Sequence, residues 1–218
     1  MMESMKDLDP TAKQWLSKVL DTPFKASKHA HSHQDEVYRI ETQHSGYYLK
    51  ISATLKSEHD NLMKLETILN VPKVIDLYEG EENDYLLITE LPGKNLAELI
   101  EEWPIIDIVD TFAEAVRRLH AVDATRVFSE ASTKDVVLHG DMALPNIIIS
   151  EQGGIGYIDF GQMAYGSPEL DLADAIWSLQ RNIGPNYGEL FLEKYGPVTI
   201  TPKIQQALEF RYKPSENE

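Results

Sequence analysis

Apolar positions along this chain follow two periods. They alternate through much of the first half and recur at helical spacing through the second. An amphipathic helix is predicted from Thr11 to Leu20, opened by Pro10, with Trp15, Leu16, Val19 and Leu20 on one side. Glu36 to Thr42 and Gly46 to Ala53 read as strands joined by the turn-like Gln43-His44-Ser45. In the second of these, Leu49 and Ile51 share one face, and Tyr48, Lys50 and Ser52 share the other. A helix follows from Leu55 to Leu69, carrying Leu62, Leu65, Ile68 and Leu69 at helical spacing. Val74 to Tyr78 and Tyr85 to Thr89 predict two more strands around the acidic turn Glu79 to Asp84.

Glu90-Leu91-Pro92-Gly93 interrupts this pattern and marks a boundary between residues 1–91 and 92–218. Beyond it, Asn95 to Glu102 and Ile105 to His120 read as helices. The latter carries Val109, Phe112, Val116 and Leu119 as a core-facing stripe. Further helices are predicted near Leu170 to Arg181, Tyr187 to Lys194 and Pro202 to Phe210. A strand-rich first lobe and a helical second lobe make an α+β protein, with a cleft expected between them. No repeat is present, and Lys213 to Glu218 is a polar tail.

The chemistry is concentrated in His139-Gly140-Asp141-Met142-Ala143-Leu144-Pro145-Asn146, followed thirteen residues after Asn146 by Asp159-Phe160-Gly161. These segments flank the apolar strands Ile147 to Ile149 and Ile155 to Ile158. Phosphoryl transfer needs a carboxylate to orient and deprotonate a hydroxyl, and oxygen ligands to hold Mg²⁺ against nucleotide phosphates. Either segment alone reads as a polar turn whose Asp or Asn caps backbone groups. Both together, in this order and spacing, favour the chemical reading.

The H-G-D-x-x-x-x-N and I-D-F-G motifs resemble those of the aminoglycoside phosphotransferases and the wider set of kinase-like small-molecule phosphotransferases. Gly140 stands where protein kinases carry Arg. The likeness extends through Asp171 to Leu179 and Tyr187 to Gly196. It implies a bilobal protein-kinase-like fold, with residues 1–91 as a nucleotide-binding lobe and 92–218 as a helical lobe carrying the catalytic loops and a shortened substrate region. It also implies that Asp141 receives the acceptor proton, that Asn146 and Asp159 hold Mg²⁺, and that His139 and Asp171 anchor the loop. Asp171 reads equally as a helix N-cap.

By the same likeness, Lys50 contacts the phosphates with Glu58 as its acidic partner, Asp60 and Glu66 being rivals. The backbone of Glu90 and Leu91 would read the adenine of ATP or the base of GTP. The loop over the phosphates falls on Lys28 to Asp35, with Ser32 as its phosphate contact. It contains no glycine, so a weak or permissive nucleotide affinity is expected. His29, His31 and His33 alternate there and read as exposed loop histidines, a metal site being the alternative.

Composition narrows the partners. The chain carries 36 acidic against 20 basic residues, a formal net charge of −16, which argues against nucleic acid and is compatible with steering a cationic ligand. Cysteine is absent, so disulfides, thiolate catalysis and Cys-ligated zinc are excluded. Neither a membrane span nor a signal-peptide pattern is visible, and a cytoplasmic location is the expectation. Only ten residues run from Gly161 to Leu170, too few for a peptide platform, so the acceptor is expected to be a small molecule with a hydroxyl. An aminoglycoside antibiotic, and hence antibiotic resistance, is the favoured reading. The connection Ala121 to Leu138 is shorter than in aminoglycoside phosphotransferases, and Arg211 sits among few acids. These departures keep a sugar, amino alcohol or macrolide kinase, and a non-catalytic nucleotide-binding module, as alternatives.

Overall fold

The computed structural model describes residues 8–31 and 36–210 of the chain. They divide into two compact units. One runs up to Glu66 and includes Val71–Leu91; the other comprises Thr67–Asn70 and the residues from Pro92 onward.

The first unit opens with α1 (Pro10–Val19), capped by the Asp9 side chain on the Ala12 N–H at 2.9 Å, with Pro10 in the first turn. Next come β1 (Lys25–His31), β2 (Glu36–Glu41), β3 (Gly46–Ser52), α2 (Lys56–Leu65), β4 (Val74–Glu79) and β5 (Asp84–Thr89). The strands form one antiparallel sheet in the order β1-β2-β3-β5-β4. Leu8, Ala12 and Leu16 pack with Tyr38, Ile40, Leu49 and Leu87 in its core, and the Trp15 indole N–H donates to Asp76 at 2.9 Å. Burying this apolar surface is the main stabilising contribution. α2 has no side-chain cap of its own; Asp84 of β5 instead accepts the Leu55 N–H at 2.8 Å. The helix stops at Leu65, short of the predicted Leu69. Thr67–Asn70 belong to the second unit, where the Asn70 carbonyl accepts the Tyr157 N–H at 2.9 Å.

The second unit begins with β6 (Lys94–Asn95) and a 3₁₀ turn, Glu98–Glu101, where a helix over Asn95 to Glu102 was predicted. Asn95 and Glu98 do cap one another, at 3.0 and 3.1 Å, but Lys94 and Asn95 pair in a sheet and Pro104 ends the turn. Then follow α3 (Ile105–His120), α4 (Ala124–Val127), β7 (Val136–Leu138), β8 (Ile147–Ile149), β9 (Ile155–Tyr157), β10 (Ala164–Gly166), α5 (Glu169–Ile183), α6 (Gly188–Tyr195) and α7 (Pro202–Glu209). β6, β8 and β9 form one small antiparallel sheet, and β7 pairs with β10. Phe112 of α3 meets Phe191 of α6 at 5.6 Å between ring centres. Ile176 and Leu179 of α5 are fully buried, as is Ile204 of α7. Among the described residues no helix is long and apolar enough to cross a membrane.

Asp174, one turn after Asp171 on α5, is half-buried. Burial, then the Asp171 charge, push its carboxyl up to about 6; Lys203 of α7 pulls the other way and Asp141 adds to the rise. Because folding raises this pKa, the favourable linkage is complete in acid and is lost as pH rises through about 6, leaving a poorly solvated charge. Asp174→Asn should therefore raise Tm at about pH 7.5 and lose that advantage below about pH 4. Melting curves of the two proteins across this range check it; an equal Tm at neutral pH contradicts it.

Candidate active site

In the second unit the two motif segments are tied to each other residue by residue. β7 delivers the chain into His139, and β10, paired with it, carries the chain away from Gly161. Between them the hairpin β8–β9 sets Ile147 opposite Tyr157. Ile158 is the pivot: its N–H donates to the Asn146 carbonyl at 3.1 Å, and its own carbonyl accepts from His139 Nε2 at 2.9 Å. Both backbone groups just before Asp159 are thus held by the His139–Asn146 loop.

His139 is completely buried, its ring 4.6 Å from that of Phe160. Burial pushes the imidazole pKa down, so it is neutral. A carbonyl can only accept, so Nε2 carries the proton, which leaves Nδ1 to accept the Asp141 N–H at 3.3 Å. Asn146, also buried, donates from Nδ2 to the Asp141 carbonyl at 2.8 Å and to Asp141 Oδ2 at 3.1 Å. Asp141 itself is exposed. Asp159 has φ 68°, a left-handed conformation rare outside Gly, Asn and Asp; the pinned Ile158 and buried Phe160 on either side maintain it.

Helix α5 grips the same loop at two points. Asp171, fully buried, accepts the His139 N–H at 2.8 Å and the Gly140 N–H at 3.0 Å, so its side chain serves the loop, and the helix's own N-cap is Pro168. Two turns later the Ser178 hydroxyl accepts the Leu144 N–H at 2.9 Å. Ser178 was not singled out in the sequence, where it is one polar residue in an apolar helix face. His120, whose Nε2 lies 3.1 Å from Asp171 Oδ2, was likewise passed over. Their seven-residue and fifty-one-residue separations from Asp171 carry no local signal.

Asn146 and Asp159 offer an amide oxygen and a carboxylate, since Asn146 Nδ2 is occupied by Asp141. Hard oxygen donors, sparse in number, fit Mg²⁺, which fills its remaining positions with phosphate and water. Among the described residues no group of three or more His, Cys, Asp or Glu could hold a metal unaided.

In the first unit, Lys50 is buried on β3, and its ammonium lies 2.7 and 2.8 Å from the two carboxylate oxygens of Glu58 in the first turn of α2. Of the rivals, Asp60 pairs with Lys56 and His59. Glu90 turns its side chain back onto the sheet, where Arg39 holds both carboxylate oxygens at 3.0 and 3.1 Å. A Cβ at Gly46 would lie 1.8 Å from Glu90 Oε2, so a larger residue there would displace the Glu90 carboxylate. The Glu90 N–H is committed to the Gly46 carbonyl at 3.0 Å, which assigns any base-reading donor to Leu91 and not to Glu90. His29 meets the Tyr48 ring edge-on at 5.0 Å. Ser32 and His33, with the His31 side chain, lie outside the described residues.

The two motif glycines differ in what they tolerate. Gly140 has φ 83°, and a Cβ there would stand 2.2 Å from the Gln162 carbonyl oxygen; nothing lies within 4 Å of a Cβ at Gly161, whose φ is ordinary. Gly140→Ala should therefore cost about 2–4 kcal/mol of stability. Gly161→Ala should stay within about 1 kcal/mol of the parent. Urea unfolding of both variants checks this, and similar losses in the two would contradict it.

The model of the phosphotransferase enzyme family matches residues 25–134 and 129–207. An aminoglycoside 3'-phosphotransferase of Niallia circulans is 28% identical, over 74% of this chain and 81% of its own length. A probable ketoamine kinase of Enterococcus faecium is 26% identical, over 64% of this chain and 70% of its own. Among solved structures, an aminoglycoside-3'-phosphotransferase of type VIII superposes with a TM-score of 0.69 at 19% identity, covering 85% of this chain and 91% of that one. Aminoglycoside phosphotransferase APH(3'')-Id from Streptomyces rimosus gives 0.68 at 20% identity, covering 92% and 97%. The paired motif loops, the sheet and helices that carry them, and a family match over most of the chain lead to one assignment: this protein belongs to the phosphotransferase enzyme family, with the kinase-like α+β fold of the aminoglycoside phosphotransferases.

Proposed function

We propose that the chain transfers the γ-phosphate of ATP or GTP to a hydroxyl of a small, cationic molecule, with an aminoglycoside as the favoured acceptor. The observation that carries this reading is the double hold on Ile158, which ties Asp159 to the loop bearing Asp141 and Asn146. Asp141 is the exposed carboxylate of the group and has its N–H and one oxygen held from behind. On this reading it orients the acceptor hydroxyl and takes its proton as the oxygen attacks the γ-phosphorus. The bond to the β-phosphate oxygen breaks and the nucleoside diphosphate leaves. Asn146 and Asp159 would hold Mg²⁺, whose charge neutralises the nucleotide phosphates. Lys50, kept extended by Glu58, would meet the α- and β-phosphates, and the Leu91 N–H with the Glu90 carbonyl would read the base. His139 and Asp171 are then loop anchors, with no proton to transfer. Catalysis of this type is mostly positioning and electrostatics.

Two features support the acceptor class. Asp174 adds a negative group within electrostatic range of Asp141, suited to an ammonium-bearing ligand. Relatives and structural neighbours include aminoglycoside phosphotransferases, and one solved neighbour is a complex with ADP and streptomycin. The connection over 121–138 holds the one-turn α4, the Phe128–Ala131 and Ser132–Asp135 turns and β7, a small wall for a large antibiotic. With the ketoamine kinase relative, this supports a second reading, a kinase for a smaller hydroxylated metabolite. A cytoplasmic setting goes with either.

Asp141→Asn should keep the fold and the nucleotide-induced thermal shift while lowering turnover by about 10²–10⁴-fold. The check is a coupled assay over aminoglycosides, sugars and amino alcohols with Mg²⁺ and ATP or GTP. Undiminished turnover in the variant sinks the assignment. Nucleotide binding without turnover of any acceptor points instead to a binding module.

A further inference from the structure

Asp171 has a third donor that the catalytic loop does not supply. His120, the last residue of α3, is buried with Nε2 3.1 Å from Asp171 Oδ2, and its Nδ1 lies 2.9 Å from the phenol oxygen of Tyr195, the last residue of α6. The Tyr195 ring stands edge-on to the imidazole, centres 5.7 Å apart at 81°, and stacks on the buried Phe191 at 6.4 Å. A carboxylate only accepts, so His120 has to donate from Nε2. With the Nε2 N–H on Asp171, the other ring nitrogen, Nδ1, is the one that meets the Tyr195 hydroxyl. Burial, then the Asp171 charge, hold the phenol above its ordinary pKa, partly offset by Arg117, so the O–H persists through the working pH range.

We propose that Tyr195 is a positioning residue for phosphoryl transfer, acting through His120 and Asp171 on the backbone of His139 and Gly140, and through them on Asp141. The proposal rests on the reading above in which Asp141 receives the acceptor proton. Asp171 keeps the proton on Nε2, and the phenol, bonded to the other ring nitrogen, holds the imidazole on the carboxylate. Without it a buried Nδ1 loses its partner, and the ring can turn off the carboxylate to find another. That turn loosens the buried group on which two loop amides depend. The packing alternative is separable, because Phe fills the same volume and keeps the stack on Phe191.

The test compares the full-length protein with Tyr195→Phe in two readouts: steady-state kinetics with Mg²⁺-ATP and the best acceptor, and amide hydrogen exchange by NMR. We expect kcat to fall about three- to tenfold with KM for ATP within about twofold, and exchange at His139 and Gly140 to quicken by a similar factor. His120→Gln supplies an amide donor with no ring to be held from behind. In that background Tyr195→Phe should cost less than about twofold, which a packing role would not produce. If Tyr195→Phe is too unstable to assay, His120→Gln against His120→Leu carries the test, with protection of the two loop amides kept in the first and lost in the second. Parent-like kcat and loop exchange in Tyr195→Phe, a loss spread evenly over α3 and α6, or equal loop exchange in the two His120 variants would overturn the proposal. The exchange arm needs no substrate, so absent turnover in the parent protein would count against the functional reading alone.

Discussion

A single carboxylate, Asp171, organises the chemistry of this protein. It is wholly removed from water, and a bare charge in that position would be costly. Three donors make it tenable: the amides of His139 and Gly140 and the imidazole of His120. The same bonds explain the local shape. Gly140 adopts φ 83° under the Gln162 carbonyl, a course open to glycine. His139 is then buried, neutral and fixed in one tautomer, which lets it hold Asp141 with one nitrogen and the carbonyl before Asp159 with the other. Ser178 secures the far end of the loop from two turns along the same helix, about 10 Å on.

Much of this was legible in the sequence, and the exceptions share a cause. α3 and the α6 helix follow the apolar spacing closely, and Pro10 announces α1, whose Asp9 cap the structure adds. The motif loops stand where their spacing suggested. β1, spelled Lys-Ala-Ser-Lys-His-Ala-His, has no strand pattern and exists because β2 pairs with it. Helix formation over Asn95 to Glu102 is pre-empted by pairing of Lys94 and Asn95 with β8. The functions of Ser178 and His120, the Asp84 cap on α2 and the choice between cap and anchor at Asp171 all lie in hydrogen bonds between residues distant in the chain. No window of neighbouring residues contains that information.

The division of information along the chain follows from the chemistry. Transfer of a phosphoryl group asks the protein for few covalent events, so the groups that define the reaction are few, close in sequence and easily read. The first unit holds the pairs Lys50 with Glu58 and Arg39 with Glu90, where burial of the ammonium on β3 was not apparent from a lysine in an alternating strand. Outside the motif loops, the one-turn α4 and the Trp177–Phe210 stack, ring centres 3.8 Å apart, carry no such compact signature.

The central claim is that catalysis depends on Asp171 as an acceptor for the loop amides and not merely on the volume it fills. Asp171→Asn tests this directly, because the amide keeps the shape but turns N–H donors toward N–H donors. Steady-state turnover should fall by at least about 10²-fold, with the His139 and Gly140 amide resonances displaced and nucleotide binding retained. Turnover close to that of the parent protein, with those resonances unmoved, would contradict the account.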